Sequence, residues 1–271
     1  DTFSKKIGLI TEMNLNERID GMNMDRELQT LAQSFNTMLK RLEESFSKQS
    51  QFLSDASHDL KTPATVIKSY CDVTLSRERT PLEYREAMEN ISEMANRISV
   101  IINRILEISR LESKTYSLNI MDVDLKALIG NVLKLLEPSA SLKGVKMSLS
   151  GDDIKVRGDR ERLTEAFINI IDNAIKYNKN SGSVEIKVGS KEGQAIVSVE
   201  DTGIGIPESE REMIFDRFFR VDTSRGVVAG SGLGLSIVKA IINAHNGSIE
   251  VESEVGKWSR FMIYLPIHVV I

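Results

Sequence analysis

Three groups of residues in this 271-residue sequence have types and spacings suited to chemistry. The first is glycine-rich. Asp201-Thr202-Gly203-Ile204-Gly205-Ile206-Pro207 directly follows an alternating segment, and Gly230-Ser231-Gly232-Leu233-Gly234-Leu235-Ser236 precedes an apolar helical segment. Glycines after a strand permit positive φ and close backbone approach to a ligand. A carboxylate at the strand end accepts a hydrogen bond from an amino group, and backbone N–H groups at a helix N-terminus suit phosphate. Neither segment fits G-x-G-x-x-G, and G-x-x-x-x-G-K-[ST] does not occur, which disfavours Rossmann and Walker-type sites. Each segment alone fits an ordinary glycine-rich loop equally well. Together they favour a nucleotide site.

The second group is Asn169 and Asn173, four residues apart on one helix face, with Lys176 one turn on. Asparagine is a mediocre helix former, and these two stand among Phe167, Ile168, Ile170, Ile171, Ala174 and Ile175. Their amides suit oxygen donation to Mg²⁺, a hard cation that favours oxygen and phosphate ligands. A pair of structural amides bonding a neighbouring loop fits the helix as well. The third group is His58 with Asp59 and Thr62. An exposed imidazole keeps a nucleophilic nitrogen at neutral pH. Asp59 has to reach sideways to bond one ring nitrogen, because adjacent helical residues face different ways. Thr62 shares the His58 face, and Pro63 crowds the carbonyl of Asp59, so a bend is expected there. These residues alone also describe a solvated surface histidine.

The elements that must hold these groups differ between the two halves of the chain. Residues 1–117 carry two of the 17 glycines and the rest carries 15. From Asp25 to Thr62 there is no Gly or Pro, so a helix there would extend about 55 Å. Leu28, Leu31, Phe35, Met38 and Leu42 recur at steps of three and four. Phe46 follows, then Leu53, Ala56 and Leu60. The four-residue step from Leu42 to Phe46 is a stutter that locally unwinds a coiled coil. With Leu53 and Leu60 at a and Ala56 at d, His58 falls at f, away from the seam. A second helix, Leu82–Leu111, carries Met88, Ile91, Ala95, Ile98, Ile102 and Ile105, with Thr80 as N-cap and Pro81 at the first position. Two such stripes point to a homodimeric four-helix bundle; packing on the second half of the same chain is the other solution.

The second half reads as a two-layer α+β domain. Its expected strands are Lys146–Ser150, Ser183–Gly189, Ala195–Asp201, Ser248–Ser253 and Arg260–Leu265. Its expected helices are Leu125–Glu137, Arg160–Tyr177, Glu208–Phe215 and Leu233–Ala244. The balance of 35 basic and 39 acidic residues gives a net charge of −4, which argues against nucleic acid as a partner. One cysteine, Cys71, excludes an internal disulfide. No segment approaches the length of apolar residues that spans a bilayer. The apolar run Val100–Ile108 is broken by Asn103 and Arg104.

Phe52–Pro63 (FLSDASHDLKTP) closely resembles the phosphoacceptor box of sensor histidine kinases. Asn169–Tyr177 (NIIDNAIKY) is similar to their asparagine box, Asp201–Pro207 and Gly230–Val238 to their two glycine boxes, and Phe215–Arg220 to the phenylalanine box between them. The five occur in the family's order. Glu27–Met38 is similar to the second helix of a HAMP signal-relay module, with residues 1–24 supplying most of the first helix and connector.

The resemblance implies a HAMP-like module over 1–47, a dimerisation and phosphoacceptor hairpin over 48–116, and an ATP-binding domain over 117–271. His58 would attack the γ-phosphate of ATP with Asp59 as general base. Asn169 would coordinate Mg²⁺, with Asn173 and Lys176 near the phosphates and Tyr177 near the base. Asp201 would read the adenine amino group, with Gly203 and Gly205 permitting its approach. Residues 220–230 would form a lid in which Arg220 and Arg225 reach phosphate. Gly230, Gly232 and Gly234 would hinge that lid and line the phosphate site with Leu235. The phosphoryl group would pass to an aspartate of a response regulator receiver domain, and Thr62 would help place a water that dephosphorylates the regulator. A HAMP module normally follows a transmembrane helix. The chain is therefore expected to be a cytoplasmic portion of a membrane receptor, reaching the membrane only through an upstream segment.

Three departures from the family pattern stand out. Asp59 replaces a frequent Glu, Ala229 a frequent glycine, and Gly256–Phe261 a glycine-rich turn. Two other readings remain. An ATPase of the gyrase and mismatch-repair superfamily would draw its water-activating carboxylate from Glu165, one turn before Asn169. A scaffold that binds ATP without catalysis would not need His58.

Overall fold

The computed structural model describes residues 16–18, 26–111, 117–221 and 232–267. The chain divides into two compact units, residues 1–62 and 63–271. Helix α1 (Arg26–Leu75) runs through Pro63 as one helix. Pro63 removes the N–H that would bond the Asp59 carbonyl, and the helix continues without it. In the first unit Ala32 and Leu39 are buried, whereas the seam positions Leu31, Met38, Leu42, Phe46 and Leu53 are 40–58% exposed.

Helix α2 (Pro81–Leu111) opens with a capping box. The Glu83 N–H donates to Thr80 Oγ1 at 3.3 Å, and the Thr80 N–H donates to the Glu83 carboxylate at 2.8 Å. Thr80 is thus the cap its sequence position predicts.

Among the described residues, seven strands and three α-helices build the remainder. They are β1 (Ile120–Asp124), α3 (Leu125–Lys143), β2 (Lys146–Gly151), β3 (Lys155–Asp159), α4 (Arg160–Lys176), β4 (Ser183–Lys191), β5 (Gln194–Asp201), α5 (Gly234–Ala244), β6 (Ser248–Glu254) and β7 (Trp258–Pro266). The main sheet has the order β2-β4-β5-β7-β6; β2 and β4 are parallel and the other pairs antiparallel. Alternation writes one face of it: Val184, Ile186 and Val188 on β4, Ala195, Val197 and Val199 on β5, and Phe261, Ile263 and Leu265 on β7 are buried. Against that face pack Leu125, Ile129 and Val132 of α3, Leu163, Phe167, Ile170 and Ile171 of α4, and Ile237, Ile241 and Ile242 of α5. This is the expected two-layer architecture.

Four elements depart from expectation. The strands β1 and β3, which pair antiparallel beside the main sheet, are short and charged, and carry no clean alternation. Helix α3 passes Pro138 and ends at Lys143, because Ala140 and Val145 are buried beyond the proline and Gly144 supplies a left-handed cap at φ 68°. Glu208–Phe215 is not an α-helix but two 3₁₀ turns, Glu208–Glu210 and Met213–Phe215. The second is held by side chains rather than by a helical ladder. Ile214 and Phe215 are buried, and the Phe215 ring meets Phe261 edge-on at 6.4 Å.

The end of α2 is built into this core. Ile108 is 1% exposed within the same hydrophobic cluster, and α2 touches α5. Glu107 pairs with Arg162 of α4, whose guanidinium also reaches Glu165 at 2.9 Å.

Candidate functional site

A pocket opens within residues 63–271 between α4, the start of α5 and the segment after β5. Helix α4 supplies one wall: Asn169, Asn173, Lys176 and Tyr177 repeat along its face. Asn169 and Tyr177 are about 12 Å apart along the axis at 1.5 Å per residue. The helix is anchored at its start by Asp159, whose carboxylate accepts the N–H groups of Glu161 and Arg162 at 3.1 and 3.2 Å.

One end of the pocket is organised around Asp201. Its side chain is buried, and the Gly203 N–H donates to Oδ1 at 2.8 Å. Burial pushes its carboxyl up to about 7, against the lowering effect of that hydrogen bond and with the Glu200 charge raising it further. The following turn is clamped. The Ile204 N–H donates to the Tyr177 carbonyl at 3.1 Å, and a Cβ on Gly203 would lie 2.4 Å from that same oxygen. Gly205 has φ +70°, and a Cβ there would stand 2.2 Å from the Glu254 carbonyl. Beneath the turn, buried Asn178 accepts the Thr202 hydroxyl at 3.1 Å and donates to the Ser183 carbonyl at 2.9 Å.

The other end is the N-terminus of α5. Its N-cap residue, Leu233, makes no side-chain cap bond, and the first N–H groups of such a helix suit an anion. A Cβ on Gly234 would lie 3.1 Å from Asn169 Oδ1 and 3.9 Å from Asn173 Nδ2. Glycine therefore lets this helix start approach both asparagines. Asn169 Nδ2 donates to the Glu165 carbonyl at 2.9 Å, which turns its oxygen away from the backbone. Lys176 pairs with Asp172 at 2.5 Å.

The pocket thus gathers Asn169, Asn173, Lys176, Tyr177, Asp201, Gly205, Arg220, Gly232, Gly234 and Leu235. Gly203 backs Asp201 rather than lining the cavity. Arg225 and Gly230, with most of the expected lid, lie outside the described residues. Sequence reasoning missed Asp172 and Arg104, which also line the pocket. The only signal for Arg104 was a charge inside an apolar run. Glu165 does not line it; burial and the neighbouring Glu107 raise its pKa, opposed by Arg162.

His58, Asp59 and Thr62 sit on α1 in the first unit. The imidazole is 81% exposed, and Asp59 Oδ1 stands 3.8 Å from Nδ1. That is ion-pair range, not a hydrogen bond. The Thr62 hydroxyl donates to the His58 carbonyl at 3.2 Å.

Comparison with known proteins converges on one family. Residues 48–114 match the His Kinase A (phospho-acceptor) domain, and residues 158–269 match the Histidine kinase-, DNA gyrase B-, and HSP90-like ATPase family. The chain is 32% identical over 266 residues to the sensor histidine kinase CusS of Escherichia coli, covering 98% of this chain and 55% of CusS. It spans about half the length of the curated relatives it matches. Among solved structures, the mycobacterial sensor histidine kinase MprB is 30% identical at TM-score 0.50, covering 54% of this chain and 97% of that one. The crystal structure of histidine kinase ThkA in complex with response regulator protein TrrA is 26% identical at TM-score 0.66, covering 82% and 63%. With the paired phospho-acceptor and ATPase matches lying in the order of its sequence boxes, the chain belongs to the sensor histidine kinases.

Proposed function

We propose that this chain transfers the γ-phosphoryl group of ATP to His58 and then to an aspartate of a response regulator. The observation that carries the reading is the exposure of the His58 ring, with the Asp59 carboxylate on its Nδ1 side. Asp59 attracts the Nδ1 proton, and Nε2 is left as the nucleophile. As Nε2 bonds to phosphorus and the bond to ADP breaks, the imidazolium that forms is stabilised by the adjacent carboxylate. Positioning and charge neutralisation supply most of the catalysis in phosphoryl transfer.

In the pocket, Asp201 takes the adenine amino group and the α5 N-terminus takes phosphate oxygens. Lys176, Asn173 and Arg220 add donors along the polyphosphate, and Tyr177 packs near the base. Mg²⁺ fits this donor set. Asn169 presents one oxygen beside the phosphate end, and among the described residues no group of three or more His, Cys, Asp or Glu forms a cage. Mg²⁺ ordinarily takes few protein oxygens and completes its shell with phosphate and water. Bound there, it would neutralise phosphate charge.

The same reading makes the chain a homodimer, supported by the exposed apolar seam of α1 and by Met88 and Ile102 on α2. A domain order of HAMP-like relay (1–47), hairpin (48–116) and ATP-binding domain (117–271) goes with it. So does a place on the cytoplasmic side of a membrane, reached through a further segment. Among the described residues no helix is long and apolar enough to cross a membrane. A receiver domain is the partner, as the ThkA–TrrA complex illustrates for that protein, and Thr62 would then help place the water that dephosphorylates the regulator.

Incubation with γ-labelled ATP and Mg²⁺ tests the reading. Label should appear on the protein, survive alkali, be lost in acid and vanish in His58→Ala. Release of free phosphate with no labelled protein would instead support the ATPase reading. The Arg162-bound position of Glu165, away from the pocket lining, does not favour that one.

A further inference from the structure

We propose that Arg104 of helix α2 binds the nucleotide polyphosphate, so that the second helix of the phosphoacceptor hairpin forms part of the ATP site. The inference rests on the reading that the pocket takes ATP. Arg104 lines the pocket together with Asn169, Asp172, Gly234 and Leu235. It is the one described residue from outside the ATP-binding domain expected over 117–271 to do so.

The packing of α2 brings it to the side of the pocket built by α4 and α5. Glu107, one turn after Arg104, pairs with Arg162, and Arg162 stands two turns before Asn169 on α4. Ile108 is sunk in the core, and α2 touches α5, whose first residue, Gly234, abuts Asn169. These contacts set the last turns of α2 against α4 and α5, and Arg104 shares the pocket lining with Asn169 and Gly234. Asp201 lies at the opposite end, near Tyr177.

A guanidinium suits this place. It is always charged and offers forked donors to phosphate oxygens. The α5 N-terminus supplies neutral N–H donors but no full charge. Lys176, in an ion pair with Asp172, and Arg220 also line the pocket, and Arg104 adds a further full positive charge to theirs. Binding through Arg104 makes nucleotide occupancy and the seating of α2 mutually reinforcing, since the Arg104 contact is available only while α2 is docked.

The test uses the full chain in a His58→Ala background, which prevents transfer during titration. ATP and adenosine are titrated by calorimetry in the presence of Mg²⁺, with Arg104→Met and Arg104→Ala as variants. Methionine keeps much of the apolar stem and removes the charge. ATP affinity should fall about tenfold in Arg104→Met, as for loss of one charge-assisted contact, while adenosine binds within about twofold of the parent. Unchanged ATP affinity in Arg104→Met overturns the proposal. So does an equal loss for adenosine, which would mark a purely structural arginine. A parent that binds no ATP overturns the ATP reading itself, whereas a parent that binds while both variants match it removes only the role of Arg104.

Discussion

The Gly203 backbone N–H donates to Asp201 Oδ1 at 2.8 Å. One carboxylate oxygen is thereby held by the loop that follows β5, and the other is left for a ligand. Burial keeps this carboxyl neutral far into the range where an exposed aspartate is ionised, up to about 7.

A pH dependence of nucleotide binding follows. The adenine amino group donates, so it pairs best with the ionised carboxylate. ATP affinity should rise as pH increases through about 7, and Asp201→Asn should weaken binding and flatten that profile. Calorimetric titrations from pH 6 to 8 check it; a parent profile as flat as the variant's would count against the assignment.

The same shift has a stability consequence of definite sign. The native pKa lies above the unfolded value, so the native state holds the proton more tightly. Its contribution is fully present below about pH 4 and is lost as pH rises to about 7. Without nucleotide, Asp201→Asn should remove that part of the decline in Tm between pH 5 and 7.

Exposure of His58 and the 3.8 Å distance to Asp59 separate chemistry from binding. Asp59→Asn should slow phosphorylation about 10²–10⁴-fold, the usual range for loss of a general base. ATP affinity should stay unchanged, and phosphorylation by rapid quench measures the difference.

Two glycines should fail in different ways. Gly205→Ala forces a Cβ to 2.2 Å from the Glu254 carbonyl at φ +70° and should cost about 1–3 kcal/mol of stability. Gly234→Ala is tight only against Asn169 Oδ1, at 3.1 Å. It should leave Tm near the parent's while weakening Mg·ATP. Thermal melts beside ATP titrations distinguish the two.

Much of this was legible from periodicity and loop chemistry. The strands of the main sheet alternate cleanly, and the boxes on α4 and around Asp201 carry residue types that a bare scaffold does not require. Pro138 misled because a proline costs a helix one hydrogen bond, whereas burial of Ala140 beyond it favours continuation. Glu208–Phe215 misled because its apolar residues answer to tertiary anchors, not to a helical stripe. Arg104 was invisible as a site residue because its place depends on the packing of Ile108, a contact between segments far apart in sequence.

The seam on α1 predicts cross-linking. After replacement of Cys71, cysteines at Leu42 and Phe46 should form disulfide-linked dimers, whereas cysteines at Lys40 and Glu44 should not. Those two residues are exposed and lie 3.9 Å apart as an ion pair on one face. If Leu42 and Phe46 sit in a two-state junction, their cross-linking efficiencies should differ between nucleotide-bound and free protein.

Because Ile108 plugs a socket formed by the ATP-binding half, a fragment begun at residue 117 would expose that socket to water as a greasy dent. Such a fragment should be stickier and softer than the same residues in the intact chain. Retaining the last two turns of α2 is the remedy, since they act as a stopper as much as a connector.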